Sequence, residues 1–397
     1  MSTTSSFSLQ ARSAVLSLRS SKIREVANAG MGRSDVLPFW FGEPDEPTPA
    51  DVRAVAAQRL AAGDTFYVQT LGLPTLREAI ATYISKLHRP HAPFDVGQVA
   101  VTSSGTSALM LAMQAIVNPG DRVVAITPLW PNLVEMPKVL GAHVETVSLR
   151  FAADGWQLDL DALLDALRPE TRALLVNSPN NPSGWVMSAE AQRTVLEHCR
   201  KHGIWIVTDD VYERYYYDNT QCAPSFLDLA DASDRVISCN SFSKAWLMTG
   251  WRIGWIVVPQ PLLQEIGKLI EFSTTCTPGF LQNAALHALE HGEPVIARTV
   301  ARLKQSRDLL ATRLADVPGV QLAAPSPGAM YTFFRVDGVT DSLAFCKQLV
   351  AEGGLGLAPG AAFGPEGEGF LRWCYASTPE RIETGVERLT RYLDTHK

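Results

Sequence analysis

The chain has 397 residues, of which 46% are hydrophobic and 19% charged, and this length suggests two or three domains' worth of structure. Its formal net charge of -6 argues against nucleic acid or an anionic membrane surface as a partner, because those partners need concentrated Lys and Arg. The 6 cysteines form no short CxxC pair and no His has metal-ligand spacing, so we predict neither a disulfide framework nor a metal site.

The N-terminal residues give no targeting signal. Residues 1–8 are rich in Ser and Thr, and they lack the basic start and apolar run of a signal peptide. The sequence also lacks an apolar stretch of about 18 residues that could cross a membrane. We therefore predict a cytoplasmic protein with no membrane partner.

Short apolar runs alternate with helical patterns through the middle of the chain. The predicted strands cover residues 99–101, 123–126, 173–176, 204–207, 235–238 and 255–258. The clearest predicted helices cover residues 107–117, 189–202 and 261–272. This alternation predicts an α/β layer with a mainly parallel sheet that is covered on both faces.

The pattern changes after about Gly292. One long helix is predicted to end at Ala315, followed by strands at residues 330–336 and 370–375 and a final helix at residues 379–393. We predict a smaller α+β domain in residues 293–397, a large domain in residues 49–292, and an N-terminal arm in residues 1–48 that joins the small domain.

Two turns that follow predicted strands suit an anion or a polar ligand. Ser104, Gly105 and Thr106 open a helix, where free backbone N–H groups bind phosphate, although an ordinary Ser/Thr cap explains the same residues. Asn181 lies in a loop of turn-forming residues, which is either a binding loop or merely a rigid one.

Asp209 lies at the end of a strand that should be buried, with Tyr212 three residues further on. A buried carboxylate needs a cation or several hydrogen-bond donors, so a ligand could be its partner. A helix cap or a salt bridge with a core arginine are the alternatives.

Two cationic side chains stand among apolar neighbours. Lys244 is flanked by aromatic residues and Met, and a lysine in an apolar pocket has a lowered pKa that suits Schiff-base formation. Arg372 lies in a predicted strand on the same face as Phe370 and Cys374, so its guanidinium needs an anion. A substrate carboxylate would serve.

In their order and spacing these segments resemble the class I/II aminotransferases of the aspartate aminotransferase superfamily, which are fold-type I pyridoxal-phosphate enzymes. The resemblance covers nearly the whole chain. It is carried by Phe41-Gly42-Glu43-Pro44-Asp45, Tyr67, Gly72, Leu76-Arg77, Ser104-Gly105-Thr106, Asn180-Asn181-Pro182-Ser183-Gly184, Asp209 with Tyr212, Ser241-Phe242-Ser243-Lys244, Gly250-Trp251-Arg252-Ile253-Gly254 and Arg372.

The resemblance implies a large domain with a mainly parallel, seven-stranded-type sheet and a smaller α+β domain. It implies transfer of an amino group from an α-amino acid to a 2-oxo acid by a ping-pong mechanism, with pyridoxal 5'-phosphate held as a Schiff base on Lys244. That lysine would also move the proton between the substrate α-carbon and the cofactor.

The remaining cofactor contacts are also implied by the resemblance. Asp209 would pair with the pyridine nitrogen, and Asn181 and Tyr212 would hydrogen-bond the phenolic oxygen. Trp130 would stack on the ring, with a core-packing Trp as the alternative. The phosphate would be bound by the backbone of Gly105 and Thr106 and by the side chains of Ser241 and Arg252.

Substrate and subunit contacts follow in the same way. Arg372 would hold the substrate α-carboxylate, helped by the Gly42 backbone and the Asn181 amide. Tyr67 resembles a residue that reaches the phosphate of the neighbouring subunit, which implies a homodimer with shared active sites.

One residue departs from the pattern of some relatives. Aspartate-using relatives can carry a Lys at the position of Thr106 to bind a second carboxylate, and Thr106 has no charge to offer. The resemblance therefore leaves the amino donor and acceptor open, although another Arg could bind an acidic side chain.

Two other functions remain open at this point. Carbon–sulfur β-lyases and aminocyclopropane-carboxylate synthases share the scaffold and the lysine chemistry. A non-catalytic ligand sensor is the second alternative, and we expect it less because the first 40 residues are too few and insufficiently basic for a DNA-binding domain.

Overall fold

The structure is a computed structural model, and it describes residues 10–218 and 220–396. Residues 1–8, on which the targeting prediction rests, lie outside the described residues. The strands are β1 (Leu37–Pro38), β2 (Val99–Thr102), β3 (Arg122–Thr127), β4 (His143–Ser148), β5 (Arg150–Ala152), β6 (Gly155–Gln157), β7 (Thr171–Asn177), β8 (Trp205–Asp209), β9 (Val236–Ser241), β10 (Gly254–Val257), β11 (Val320–Gln321), β12 (Tyr331–Val336), β13 (Leu355–Gly356), β14 (Ala358–Pro359) and β15 (Phe370–Cys374).

The helices alternate with these strands through the first two thirds of the chain. They are α1 (Ser13–Leu16), α2 (Lys22–Gly30), α3 (Ala50–Ala61), α4 (Pro74–His88), α5 (Gly105–Ile116), α6 (Pro131–Val139), α7 (Leu160–Ala166), α8 (Ala189–His202), α9 (Gln260–Ser273), α10 (Gly279–His291), α11 (Glu293–Ala315), α12 (Ser342–Glu352) and α13 (Pro379–Thr395). None of the helices in the described part of the chain has the length and apolar character needed to span a bilayer.

The central sheet has seven strands in the order β2-β10-β9-β8-β7-β3-β4. Strand β10 runs antiparallel to both of its neighbours, and the other pairings are parallel. The prediction of an α/β fold with a mainly parallel sheet is therefore confirmed.

Both faces of the sheet are buried, which explains the unbroken apolar runs. Ala173 and Leu175 of β7 pack in one core cluster with α5, α6 and α9, whereas Leu174 and Val176 pack in another with α7 and α8. Because strand side chains alternate between the faces, a strand covered on both sides is apolar at every position.

Strand β4 was not predicted, and its burial gives the reason. It pairs only with β3 at the edge of the sheet, and its polar residues His143, Glu145 and Ser148 are exposed. An edge strand with one solvated face carries a much weaker apolar signal than a central strand.

The second layer of structure is built on the four-stranded antiparallel sheet β11-β12-β15-β14. Helices α11, α12 and α13 pack around it, and the N-terminal segment joins the same core. Strand β1 pairs in parallel with β13, and α2 packs against α12.

The parallel strands bring their carboxyl ends to one edge of the central sheet. Strand β8 ends at Asp209, β7 ends at Asn177 beside it, and β9 ends at Ser241, three residues before Lys244. Ligands of open α/β sheets bind at this edge. Strand β15 of the smaller sheet carries Arg372, which lines the same cavity as Asp209 and Lys244.

Candidate active site

A cavity of about 470 Å³ lies at the carboxyl edge of the central sheet. Most of the residues that the sequence singled out line it, namely Gly42, Gly105, Thr106, Trp130, Asn181, Asp209, Tyr212, Ser241, Lys244, Arg252 and Arg372.

Two predicted residues do not line this cavity. The Ser104 hydroxyl caps α5 by accepting a hydrogen bond from the Ser107 backbone at 2.9 Å, so the side chain acts as an ordinary helix cap. Tyr67 is 86% exposed and lies away from the cavity of its own chain.

The Lys244 amino group lies inside the cavity, in the turn that follows β9. Its Nζ donates a hydrogen bond to the Gly42 carbonyl and stands 5.7 Å from the centre of the Tyr212 ring. The pKa of Lys244 is lowered to about 8; burial is the largest cause, and the nearby cations Arg372 and Arg252 act in the same direction, against the opposing effect of Cys374 and Glu43. A large fraction of neutral amine is therefore present at mildly alkaline pH.

The Asp209 carboxylate is buried and makes no ion pair with any residue that the structure describes. Its nearest donor is the Val211 backbone N–H, at 3.4 Å. Burial raises the pKa of Asp209 to about 7, with a smaller contribution from Asp210. The side chain thus faces the cavity without the core arginine or helix cap that could have explained it.

The neighbouring carboxylate behaves differently. Asp210 is also buried, but its Oδ2 accepts hydrogen bonds from Thr208 at 2.7 Å and from Ser238 at 2.5 Å. Asp210 is satisfied within the protein, and Asp209 is the carboxylate available to a ligand.

Tyr212 forms a hydroxyl pair with a residue that the sequence did not single out. The Tyr212 and Tyr331 hydroxyl oxygens are 2.5 Å apart, and both rings are buried. Tyr331 is the first residue of β12, and its position depends on the register that pairs Phe333 with Arg372. The strand was predicted, but nothing in its pattern distinguished a site residue from a core aromatic.

Arg372 is almost completely buried, with 2% of its surface exposed. One Nη donates to Asn181 Oδ1 at 3.0 Å, the other donates to the Trp40 carbonyl, and Nε has no hydrogen-bond partner in the described part of the protein. A buried guanidinium with only neutral acceptors and a free donor is suited to bind a carboxylate.

A cluster of small and polar groups forms another wall of the cavity. A Cβ on Gly254 would come within 2.6 Å of the Gly105 backbone nitrogen, so β10 packs closely against the start of α5. The Ser241 hydroxyl donates to Ser243 at 2.8 Å, and Arg252 donates to the Thr249 carbonyl at 2.8 Å and to Ser243 at 3.3 Å. A helix N-terminus, hydroxyls and a guanidinium in one place match the needs of a phosphate group.

Comparison with known proteins agrees with this geometry. Residues 34–389 match the family model of aminotransferase class I and II. The chain is 33% identical over 361 residues to an aspartate aminotransferase of Thermotoga maritima, covering 91% of this chain and 92% of that one. It is 32% identical over 370 residues to an arginine–pyruvate transaminase of Pseudomonas aeruginosa, covering 92% of both chains.

Solved structures give the same result. An aspartate aminotransferase of Thermotoga maritima superposes with a TM-score of 0.89 at 32% identity, over 97% of this chain and 100% of that one. An aromatic aminotransferase of Pyrococcus horikoshii superposes with a TM-score of 0.85 at 30% identity, over 94% and 99% of the two chains.

The chain belongs to the class I and II aminotransferase family. It is a pyridoxal-phosphate-dependent enzyme that transfers the amino group of an amino acid to a 2-oxo acid. Its residues fit the cofactor: the buried Asp209 carboxylate, which has no ion-pair partner among the described residues, suits a protonated ring nitrogen, and the walls around Gly105 and Arg252 suit a phosphate.

Proposed function

We propose that Lys244 is the catalytic amine of this transaminase and that it alternately holds the cofactor and carries the transferred proton. The single observation that carries the proposal is the pairing of a lysine of lowered pKa with an ion-pair-free buried carboxylate, Asp209, in one cavity. Bound pyridoxal phosphate supplies an electron sink for negative charge at the substrate α-carbon.

The Lys244 amine would take a proton from the substrate α-carbon and deliver it to the cofactor carbon that is joined to the substrate nitrogen. A base with a pKa of about 8 is well suited to this role near neutral pH, because it accepts the proton readily and gives it back readily. The Gly42 carbonyl orients the amine through its hydrogen bond.

Asp209 would keep the cofactor ring nitrogen protonated by presenting an anion to it. Binding of a cation beside the carboxylate offsets the burial that otherwise raises the pKa of Asp209. Asn181 and Tyr212 would donate to the phenolic oxygen of the ring, and Tyr331 orients Tyr212 through the shared hydrogen bond. Trp130, which lines the cavity, would stack on the ring.

The phosphate would be held by the backbone N–H groups of Gly105 and Thr106, the Ser241 hydroxyl and the Arg252 guanidinium. Arg372 binds the substrate α-carboxylate, with the Asn181 side chain and the Gly42 backbone beside it. Fixing the substrate at this end turns its α-carbon toward Lys244.

The proposal includes a homodimer in which Tyr67 reaches the cofactor phosphate of the neighbouring subunit. Tyr67 is 86% exposed, Phe66 83% and Phe272 89%, and the hydrogen bond from Thr70 to Glu271 holds this segment against the end of α9. Large exposed aromatic rings are typical of a subunit interface.

Two further predictions from the sequence remain proposals. We propose the division into an N-terminal arm (1–48), a large domain (49–292) and a small domain (293–397), since the long helix α11 begins at Glu293 and the N-terminal strand β1 joins β13. We also propose a cytoplasmic location, on the sequence pattern alone.

The test is the visible absorption spectrum of the purified protein with pyridoxal phosphate. A band of the bound cofactor should bleach when an amino acid is added without an acceptor, and it should return with a 2-oxo acid. The Lys244→Ala variant should show neither change. Release of ammonia and pyruvate without an acceptor would instead indicate a lyase, and a band unchanged by every amino acid would contradict the proposal.

A further inference from the structure

A chain of charged and polar side chains lies behind the turn that carries Tyr212. Tyr212 lines the active-site cavity, whereas the next two residues, Glu213 and Arg214, are buried outside it. The proposed chemistry uses neither of them. Buried charges are costly unless they are paired, so their partners are of interest.

The first part of this chain is centred on His88, the last residue of α4. Its Nδ1 lies 2.8 Å from an Asp228 carboxylate oxygen, and its Nε2 lies 3.2 Å from a Glu213 carboxylate oxygen. The side chains of His88 and Glu213 are both buried. Burial lowers the pKa of His88, but the hydrogen bonds to the two carboxylates outweigh this effect and raise the pKa to about 10. His88 is therefore a buried cation at neutral pH.

The chain continues from Glu213 to the beginning of α11. The Tyr83 hydroxyl donates to the other Glu213 carboxylate oxygen at 3.3 Å, and Arg214 donates to the Tyr83 hydroxyl oxygen at 3.2 Å. A second Arg214 nitrogen forms an ion pair with Glu293, the first residue of α11. Anions and cations thus alternate along six side chains, which we call the His88 network. It consists of Asp228, His88, Glu213, Tyr83, Arg214 and Glu293.

His88 compensates the negative charge that is buried beside the turn. Burial and the charge of Glu213 raise the pKa of Asp210, and the charge of His88 acts in the opposite direction. Removing one partner of a buried ion pair is strongly destabilising, because the other charge is left uncompensated. Without His88, Glu213 would take up a proton or rotate toward water. Because Glu213 and Tyr212 are adjacent in the chain, a displacement of one is transmitted to the other.

We infer that His88 is a positioning residue, which acts through Glu213 to hold the Tyr212 hydroxyl in place for the phenolic oxygen of the cofactor. The inference rests on the proposed function of Tyr212. The Tyr212 hydroxyl is held from the smaller sheet by its hydrogen bond with Tyr331, and the His88 network holds the same residue through its backbone. His88 itself does not line the cavity, so it acts on the reaction only through the turn.

The test follows the pH midpoint at which the absorption band of bound pyridoxal phosphate changes. A donor to the phenolic oxygen stabilises the negative charge there, so the neighbouring nitrogen holds its proton less firmly and the midpoint is lowered. Tyr212→Phe gives the reference shift for a missing hydroxyl. His91→Gln is the matched control for His88→Gln, because His91 is exposed and lies just beyond the end of α4.

His88→Gln should raise the midpoint by about half a pH unit or more and lower kcat by about tenfold. The double variant His88→Gln/Glu213→Gln should recover most of both losses, because two amides can hydrogen-bond to each other and the uncompensated carboxylate is gone. His91→Gln should behave as the wild type does.

Tyr83→Phe is a milder variant of the same network. It keeps the ring that packs on Trp246 and Trp255 and removes the hydroxyl between Glu213 and Arg214. We expect it to raise the midpoint by less than His88→Gln does. If His88→Gln does not fold, Tyr83→Phe decides, and an unchanged midpoint in it would overturn the inference.

Two other results would overturn the inference. A His88→Gln protein that melts at a lower temperature but keeps the wild-type midpoint would show that His88 has a structural role only. An equal shift in His88→Gln and in the double variant would show that the charge on Glu213 plays no part. These results leave the proposed function standing, whereas an unchanged midpoint in Tyr212→Phe would refute the proposed contact of Tyr212 with the cofactor, and the inference with it.

Discussion

The hydroxyl groups of Tyr212 and Tyr331 share one hydrogen bond of 2.5 Å, and this bond joins the segment after β8 of the central sheet to β12 of the smaller sheet. The Tyr331 ring also lies 4.5 Å from the Arg372 guanidinium carbon. Tyr331 thus contacts both a proposed cofactor ligand and the proposed substrate anchor.

Replacing Tyr331 by Phe should lower kcat by about tenfold, because one hydrogen bond that orients Tyr212 is lost and the buried Tyr212 hydroxyl needs a new partner. The ring, its packing and its contact with Arg372 are kept. Stopped-flow measurement of the first half-reaction tests this, and an unchanged rate would show that Tyr212 is oriented without it.

Gly42→Ala should be far more damaging than its size suggests. A Cβ at this position would lie 1.9 Å from the Tyr331 hydroxyl oxygen and 3.0 Å from the ring carbon that bears it. We expect the single variant to lose most activity and the double variant Gly42→Ala/Tyr331→Phe to regain part of it, because the closer of the two clashes disappears. A double-mutant cycle measures the coupling, and purely additive losses would contradict the geometry.

Asp209→Asn should separate cofactor binding from catalysis. The amide fits the same space but cannot hold a proton on the ring nitrogen, so we expect kcat to fall by about 100-fold or more while cofactor remains bound. Equilibrium dialysis and single-turnover rates test the two effects separately. Loss of the cofactor together with activity would assign Asp209 a binding role instead.

The same variant should change how the cofactor-free protein responds to pH. Burial raises the pKa of Asp209 from 3.8 to about 7. Below pH 4 the carboxyl is protonated in both the folded and the unfolded state, so its burial costs no stability. As the pH rises to 7 the unfolded chain releases the proton and the buried carboxyl does not, so the folded state loses stability. The loss in the free energy of unfolding amounts to at most about 4 kcal/mol. Thermal melts should therefore show Asp209→Asn gaining on the wild type between pH 4 and pH 8, whereas parallel curves would mean that the carboxylate is solvated.

Arg372→Lys should lower kcat/KM by about 100-fold for every amino acid, because a lysine offers a point charge where two parallel hydrogen bonds are needed. The cofactor spectrum should change little, since Arg372 is proposed to contact the substrate and not the cofactor, and the lysine keeps the positive charge. Similar losses for all substrates would fit a contact with the α-carboxylate that they share, whereas a loss confined to some side chains would contradict it.

Phe272→Asp should convert a dimer into monomers and remove activity with it, because a charge would be placed on the proposed subunit interface at a ring that is 89% exposed in the single chain. Phe272→Tyr keeps an aromatic ring and should remain dimeric. Sedimentation analysis gives the assembly state directly. A monomeric wild type with full activity would remove the proposed role of Tyr67.

The central layer of the fold could be predicted from the sequence because its signals are local. Helix α8 was predicted at residues 189–202, the bounds it has, since Ser188 caps its start and Gly203 adopts a φ of +69° at its end. The edge strand β4 was missed because its polar face hides the pattern.

The site was predictable where a residue's chemistry conflicts with its surroundings. Lys244, Asp209 and Arg372 are charges in apolar segments, and such conflicts can be read without a structure. Tyr331 was not found in this way. A tyrosine in a buried strand matches its local pattern, and only the tertiary arrangement brings it to the cavity.

The hydrogen bond from Arg372 to the Trp40 carbonyl joins residues that are 332 positions apart in the chain. Contacts of such sequence separation form late in folding, because the entropy of closing so long a loop must be overcome first. During refolding, recovery of secondary structure should therefore precede recovery of turnover, and a polypeptide that stops short of β15 should be inactive however much of the central sheet it has formed. Enzymatic activity thus shows that the N-terminal segment with Trp40 has packed against β15 near the C-terminus.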